Sequence, residues 1–191
     1  MSAVAEISVF TWPQYPPLPP VGEAVLVCVP IHSTRATARL QIRTATREIL
    51  AAWSGVPPAR VRPQETSCGP LFPDLIDGTA VAVSFSYAED TAWIGLVRGG
   101  AIGVDALRVR AFAEMDSVAK LYLDPQRHRE IQTSASPALA FTLAWTEFEA
   151  RLKCLRRGLS EWASGRHPLS SPSACTRVRR INDFIVSVVT A

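Results

Sequence analysis

Two stretches of helical periodicity, one in each half of the chain, limit the folds that this sequence can adopt. In each stretch, apolar side chains recur at spacings of three and four residues, the pattern of a helix with one buried face. The first predicts a helix over 34–54 that ends before Gly55. The second predicts a long helix that begins at Pro137, with Ser136 as its N-cap, and closes at Gly158.

Runs of β-branched and aromatic residues accompany both helices and predict strands. The Gly99-Gly100 pair between two of these runs predicts a hairpin. Two shorter helices are expected near 117–123 and 125–132. With five prolines in eight positions, 13–20 is expected to be an extended surface segment. The runs expected to form strands are 25–31, 81–86, 91–97, 101–109 and 177–191.

Together these elements predict an α+β fold made of two similar halves that meet near residue 100. Residues 1–100 are expected to form the N-terminal half and residues 101–191 the C-terminal half. No shorter repeat is visible in the sequence. The two halves are therefore expected to make one structural unit.

Composition limits the class of protein. With 191 residues and 48% hydrophobic content, the chain can bury a core. Its longest apolar runs fall far short of the roughly 20 residues that a membrane span needs, so no membrane association is expected. Residues 1–13 lack a basic segment leading into an apolar run, so the protein is predicted to be cytoplasmic. The four cysteines contain no C-x-x-C pair, which favours reduced thiols over a zinc ribbon or a disulfide frame.

Basic residues are unevenly placed, although the formal net charge is only +3. Arginines gather at 35–47, 151–157 and 177–180, and such clusters suit phosphate groups or an acidic protein partner. A solvated helix face is the alternative interpretation of the first cluster. Nucleic acid is not an expected partner, because no reader motif or series of base-stacking aromatic residues accompanies the arginines.

Three ionisable side chains form the strongest candidate for a reactive site. Asp105 lies in a predicted strand, and Glu149 and Lys153 lie one turn apart on the long helix, on a stripe that also includes Arg156. If Asp105 faces that stripe, two carboxylates can share a hard divalent cation while basic groups hold phosphate oxygens, as phosphoryl transfer requires. The alternative is an ordinary surface Glu–Lys pair, with Asp105 in a turn.

Two short stretches resemble the signatures of the Sfp-like 4′-phosphopantetheinyl transferases. Residues 102–105, Ile-Gly-Val-Asp, resemble the first signature, in which glycine, a branched aliphatic residue and aspartate are followed two residues later by a second acid. Residues 145–153, Trp-Thr-Glu-Phe-Glu-Ala-Arg-Leu-Lys, resemble the second, in which a lysine-glutamate pair follows a tryptophan and another lysine comes four residues after the glutamate. The order and the spacing both fit, and weaker likenesses extend over about 35–160.

This resemblance implies two pseudo-symmetric α+β halves, each a long helix packed on a small, mostly antiparallel sheet, with the co-substrate coenzyme A in the cleft between them. Asp105 and Glu149 would hold Mg²⁺ on its pyrophosphate. Glu149 would also accept the proton of the attacking carrier-protein serine, and Lys153 would neutralise charge on the phosphate and the leaving group. The residues that resemble the family's contacts with coenzyme A are Arg39, Arg43, Arg47, Ser86, Tyr87 and Lys153.

The implied function is transfer of the 4′-phosphopantetheine group from coenzyme A to a serine of an acyl or peptidyl carrier protein, by a monomeric enzyme. Several positions depart from the family pattern. Leu107 replaces the second acid, Tyr87 a histidine, Phe148 the lysine before the glutamate, and 68–70 lacks the lysine of a Gly-Lys-Pro motif. These departures leave open an alternative, a non-catalytic or specialised relative that binds coenzyme A or a carrier protein.

Overall fold

The computed structural model describes residues 7–31, 34–66, 69–163 and 174–191 of the chain. Within these residues lie four α-helices and nine strands, and none of the helices is long and apolar enough to cross a membrane. The helices are α1 (Arg35–Ser54), α2 (Met115–Tyr122), α3 (Pro125–Thr133) and α4 (Pro137–Cys154). The strands are β1 (Ser8–Thr11), β2 (Ala24–Pro30), β3 (Gln64–Thr66), β4 (Gly69–Ile76), β5 (Thr79–Ala88), β6 (Thr91–Arg98), β7 (Ile102–Arg108), β8 (Cys175–Ile181) and β9 (Phe184–Thr190).

The strands form two sheets, and the chain passes from the first to the second after β6. The first sheet has six strands in the order β1-β2-β6-β5-β4-β3, and the second has three in the order β7-β9-β8. Neighbouring strands are antiparallel except β1 and β2, which run parallel. This mixture of helices and mostly antiparallel sheets confirms the predicted α+β class. The predicted pseudo-symmetry of the two halves stays a prediction.

Helix α1 covers one face of the first sheet. Alternate residues of each strand point to that face, and Val25, Val27 and Val29 of β2 pack there with Ile42 and Ile49 of α1. Of the stripe that the sequence periodicity predicted, Ile42, Ala45 and Ile49 are buried, whereas Ala52 is exposed. The opposite face of the helix is exposed to solvent.

The other face of the first sheet packs against the second sheet. Leu26 of β2 and Trp93 of β6 share a buried cluster with Val104 of β7 and with Val186 and Val188 of β9. Helix α4 contacts β7 and β9 of the second sheet, and α2 and α3 pack against α4. Strand β7 is therefore enclosed between the first sheet and α4, and the candidate site lies along this strand.

The Gly99-Gly100 segment does not form the predicted hairpin. Strand β7, which follows it, pairs with β9 over all seven of its residues instead of with β6. Both glycines have positive φ angles, 62° and 149°, which allow the chain to leave the first sheet and enter the second. A glycine pair between two apolar runs marks a change of direction but does not determine which strand the second run pairs with.

The C-terminal run 177–191, predicted as one strand, is the hairpin β8–β9. The chain turns at Asn182 and Asp183, and Asn182 takes the left-handed conformation with φ of 55°. This Asn-Asp pair is a turn signal within an otherwise β-rich run. The edge strands β1 and β3 and the proline-containing strand β4 also had no counterpart in the sequence prediction.

Helix α4 begins where the sequence predicts but ends earlier. It starts at Pro137 and ends at Cys154, so Gly158 does not close it. After the helix, Arg156 takes the left-handed conformation, with φ of 57°. The Arg157 amide then donates to the Leu152 carbonyl at 2.9 Å, a hydrogen bond typical of a helix C-terminus. The predicted place of Arg156 on the reactive stripe is therefore wrong, because the helix has already ended.

Candidate active site between β7 and α4

Two serine side chains of the first sheet accept hydrogen bonds from backbone amides of β7. Ser84 and Ser86 lie two residues apart on β5 and are both buried. The Val104 amide donates to Ser84 Oγ, and the Ala106 amide donates to Ser86 Oγ, both at 3.0 Å. These bonds satisfy amides that water cannot reach and fix β7 against β5. Asp105 lies between Val104 and Ala106, so its backbone is held in place by the same two hydrogen bonds.

The carboxylate of Asp105 is held through one of its oxygens. Oδ1 accepts a hydrogen bond from the Ser86 hydroxyl at 3.0 Å and one from the Lys153 ammonium at 2.7 Å. Among the described residues, Oδ2 accepts no hydrogen bond. Because the side chain is only 13% exposed, these two contacts orient a carboxylate that has little access to solvent.

Lys153 reaches from α4 across β7 to β5. Its ammonium donates to the Val104 carbonyl at 2.9 Å, to Asp105 at 2.7 Å and to the Phe85 carbonyl at 3.4 Å. These three acceptors match the three protons of the ammonium group. In the part of the chain that the structure describes, Lys153 forms its ion pair with Asp105 and not with Glu149 one turn earlier on its own helix.

Glu149 lies beside this ion pair and is half-buried on α4. Burial raises the pKa of its carboxyl, the charge of Asp105 raises the pKa further, and Lys153 lowers it. Glu149 is therefore within electrostatic reach of both residues. The structure brings Asp105, Glu149 and Lys153 together at the contact between β7 and α4.

Small residues allow α4 to approach β7 closely. A Cβ on Gly103 would overlap the Ala150 carbonyl oxygen and would lie 2.5 Å from the Cys154 amide nitrogen. On the same helix, Thr146 Oγ1 and Ser187 Oγ of β9 share a buried hydrogen bond of 2.8 Å. The glycine of the first sequence signature thus sets the distance between the strand and the helix that carry the three ionisable residues.

Sequence reasoning missed three of these supporting residues, Ser84, Thr146 and Ser187. Each is a hydroxyl residue that is at least 97% buried. A polar side chain inside a run that is otherwise apolar needs a hydrogen-bond partner when the run is buried. That pattern is the signal in the sequence that could have identified them.

The two carboxylates suit a divalent cation that takes its other ligands from water or substrate. Within the described ranges, no three His, Cys, Asp or Glu side chains gather into a metal-binding group. Mg²⁺ keeps several waters and usually binds through one or two carboxylates together with substrate phosphates. Asp105 and Glu149 fit that requirement, whereas an all-protein cage such as a structural zinc site needs more ligands.

Leu107 and Phe148, the two apolar residues at positions where the family has charged ones, pack in the same hydrophobic cluster. Phe148 is 6% exposed among the residues of this cluster, and Leu107 packs against the same group. The cluster also contains Phe141 and Leu152 and joins α4 to α2 and α3. Leu107 and Phe148 are therefore explained by packing, because a charged side chain at either position would have to enter an apolar cluster.

The other residues predicted to bind coenzyme A lie on two faces of the first sheet. Ser86 faces β7, whereas Tyr87, the next residue of β5, packs against the cluster under α1. Arg39, Arg43 and Arg47 are exposed on α1, which covers that same face. The structure therefore does not bring these three arginines or Tyr87 into the hydrogen-bonded group around the carboxylates.

The region that carries these ionisable residues is similar to a known family. A comparison with curated proteins found no match for this chain. Residues 101–180 match the family model described as the 4′-phosphopantetheinyl transferase superfamily. The matched residues include Asp105 on β7 and both Glu149 and Lys153 on α4. The resemblance predicted from the sequence is thus supported at the level of this superfamily, over the part of the chain that holds the candidate site.

Proposed function

We propose that the protein transfers the 4′-phosphopantetheine group from coenzyme A to a serine of an acyl or peptidyl carrier protein, in a Mg²⁺-dependent reaction of the Sfp-like kind. One observation carries the proposal: Lys153 of α4 pairs with Asp105 of β7, and Glu149, one turn earlier on α4, is within electrostatic reach of both. That contact lies within the stretch that matches the superfamily. The proposal includes a monomeric enzyme with two pseudo-symmetric halves and coenzyme A between them.

The reaction exchanges one phosphorus–oxygen bond for another. The carrier serine oxygen bonds to the β-phosphorus of coenzyme A, and the bond from that phosphorus to the bridging pyrophosphate oxygen breaks. 3′,5′-Adenosine bisphosphate then leaves with the electron pair of that bond. The serine proton passes to Glu149, directly or through a water.

The charges of the site suit the pyrophosphate. Asp105 and Glu149 would hold Mg²⁺, which when bound supplies charge neutralisation and polarises the pyrophosphate oxygens. Lys153 would add a second positive charge beside the leaving phosphate. Its three protons are already donated to Asp105 and to the Val104 and Phe85 carbonyls, so a phosphate oxygen would replace the longest of these contacts, the 3.4 Å one to Phe85.

For the nucleotide end of coenzyme A we propose the exposed face of α1, which the co-substrate would reach from the cleft around the end of the first sheet where α1 begins. Gln41 fixes the first turns of α1 to the end of β2 by donating to the Pro30 carbonyl at 3.0 Å. Tyr87 lies at the same end of the sheet and on the face that α1 covers. The exposed basic residues on this helix are Arg39, Arg43 and Arg47.

The test is incubation of the protein with coenzyme A, Mg²⁺ and a panel of apo carrier proteins, followed by mass spectrometry of the carriers. At least one carrier should gain the mass of one phosphopantetheinyl group, and chelation of Mg²⁺ should abolish the gain. Asp105→Asn and Glu149→Gln should each lower the rate by about 100-fold or more. Glu147→Gln is the matched control, because Glu147 is also on α4 but pairs with Arg151, and its rate should stay within about threefold. No gain on any carrier would contradict the proposal.

A second candidate, binding without transfer, is favoured by the apolar residues Leu107 and Phe148 at positions where the family has charged ones. Calorimetry with coenzyme A, with and without Mg²⁺, separates the two functions. A transferase should bind coenzyme A more tightly with the metal. An affinity for coenzyme A that is the same with and without Mg²⁺, together with unmodified carriers, would favour the second function.

A further inference from the structure

The hydrogen bonds around Ser86 leave its hydroxyl no proton for a ligand. The hydroxyl has one proton, which it donates to Asp105 Oδ1 at 3.0 Å, and it accepts from the Ala106 amide at 3.0 Å. Ser86 is only 4% exposed, so solvent cannot substitute for either partner. A phosphate contact through this proton would require the bond to Asp105 to break.

The same contacts leave one oxygen of the Asp105 carboxylate available. Ser86 and Lys153 both donate to Oδ1, and within the described residues no donor reaches Oδ2. A carboxylate that is held at one oxygen by two donors keeps a single orientation. Groups that orient a metal-binding side chain in this way contribute strongly to metal affinity.

We propose that Ser86 is a positioning residue, which fixes the Asp105 carboxylate through Oδ1 so that Oδ2 is presented to the divalent cation. This inference rests on the proposed function, in which Asp105 holds the metal. It changes the role of Ser86 from a contact of coenzyme A to a support for the metal-binding side chain. Ser86 acts through Asp105 and does not itself touch the reacting atoms.

Ser84 provides a matched control for this role. It lies two residues earlier on β5, is 3% exposed, and accepts from the Val104 amide at the same 3.0 Å. Its hydroxyl makes no contact with Asp105 among the described residues. Ser84→Ala and Ser86→Ala therefore each leave one amide of β7 without its cap, but only Ser86→Ala also releases the carboxylate.

The experiment is titration of the full chain with Mn²⁺ alone, followed by electron paramagnetic resonance of the free ion. Ser86→Ala should weaken Mn²⁺ binding by about tenfold or more, whereas Ser84→Ala should stay within about twofold of the original chain. Ser86→Thr, which keeps the hydroxyl, should restore the affinity to within about threefold. Ser86→Cys, whose thiol is a weak donor, should be intermediate and serves if the alanine variant does not fold.

Equal Mn²⁺ affinities for Ser86→Ala and Ser84→Ala would overturn the inference and leave the proposed function standing. So would a Ser86→Cys variant that binds Mn²⁺ as tightly as the original chain. If the original chain itself does not bind Mn²⁺, both the inference and the metal-dependent function are wrong. Ser86→Ala should melt at a lower temperature than Ser84→Ala, because it loses two hydrogen bonds, with Asp105 and with the Ala106 amide, whereas Ser84→Ala loses one.

Discussion

At the scale of single residues, the account depends on a carboxylate pair and a lysine that interact in a partly buried place. Lys153 is 29% exposed and Asp105 13%, so their ion pair is less screened than one on the open surface. Lys153 also satisfies two backbone carbonyls, from Phe85 and Val104. Removal of the lysine would therefore leave the Asp105 carboxylate with Ser86 as its remaining donor and would take one donor from each of the two carbonyls.

Lys153→Met should lower the free energy of unfolding by about 2 kcal/mol, because it leaves the Asp105 charge with one donor in place of two. Urea denaturation at neutral pH measures the change. Adding Asp105→Asn should recover part of the loss, since no unpaired charge then remains. The control is Arg127→Met, which removes ion pairs that are about half exposed and should cost less than about 1 kcal/mol. Equal losses from Lys153→Met and Arg127→Met would contradict this account.

The raised pKa of Glu149 predicts a stability change with a definite sign. Its folded-state pKa lies above the ordinary 4.5, chiefly through burial, so the folded protein binds this proton more tightly than the unfolded chain. The stability from this group is complete below pH 4.5 and is lost as the pH rises through the folded-state value. Without metal, Glu149→Gln should therefore melt at a higher temperature than the original chain at pH 7.5.

That difference in melting temperature should shrink as the pH falls toward 4, where Glu149 is protonated in both folded and unfolded chains. Calorimetric melts at several pH values measure it, and glutamine is a suitable replacement because its helix propensity is close to that of glutamate. A Glu149→Gln variant that is less stable at pH 7.5, or equally shifted at both pH values, would show that the glutamate charge is favourable in the folded protein.

At the scale of elements, one contact between a strand and a helix decides whether the site exists. Strand β7 carries Asp105, α4 carries Glu149 and Lys153, and Gly103 is where their backbones approach. Because the atoms facing Gly103 belong to the backbone of α4, no side-chain rotation can make room for a larger residue.

Gly103→Ala should therefore displace α4 and lower the free energy of unfolding by about 3 kcal/mol, near the upper end for an overpacked contact. It should also abolish transferase activity, because Glu149 and Lys153 move with the helix. Gly158→Ala is the control: a Cβ there meets nothing within 4 Å, so its cost should stay under about 0.5 kcal/mol. Denaturant unfolding of both variants gives the comparison, and equal stabilities would contradict the close-packing argument.

The sequence predicted elements well where periodicity was strong, and poorly where pairing or a turn decided the outcome. Helix α1 and strands β5 and β6 were expected close to their true bounds, because their apolar patterns are long and regular. The partner strand of β7 was not predicted, since β7 pairs with β9, which lies far from it in the chain. The turn at Asn182 and the helix end at Arg156 were missed because both use left-handed residues other than glycine.

Prediction of the site had the same limits. Asp105, Glu149 and Lys153 were expected together on the basis of two short motifs, and the structure brings them together. The separation of Ser86 from Tyr87 follows from the alternation of side chains along β5, which becomes informative only when the strand's two faces are known. Ser84 escaped prediction because its partner, an amide of β7, lies in the other sheet.

At the scale of the whole molecule, the boundary near residue 100 separates two sheets that share one buried cluster. The buried cluster between the sheets takes Leu26, Trp93 and Val97 from the first and Val104 and Val186 from the second. Ser84 and Ser86 add hydrogen bonds across the same interface. Each half therefore completes the burial of the other.

We expect the chain to unfold in a single transition, with far-ultraviolet circular dichroism and tryptophan fluorescence coinciding. Residues 1–100 and 101–191 expressed separately should not fold, because each would expose its side of the shared cluster to water. Nuclear magnetic resonance spectra of each piece would show whether its amide signals are dispersed. Two separate transitions, or well-dispersed spectra from either piece alone, would show that the halves are independent domains.

The most direct test of the central claim is a crystal structure of the protein with coenzyme A and Mg²⁺. The account predicts one ion with an oxygen of Asp105 and an oxygen of Glu149 each at about 2.1 Å, and a pyrophosphate oxygen on the same ion. Lys153 should lie within hydrogen-bond distance of the phosphate. An ion that neither carboxylate contacts, or coenzyme A bound away from the contact of β7 with α4, would contradict it.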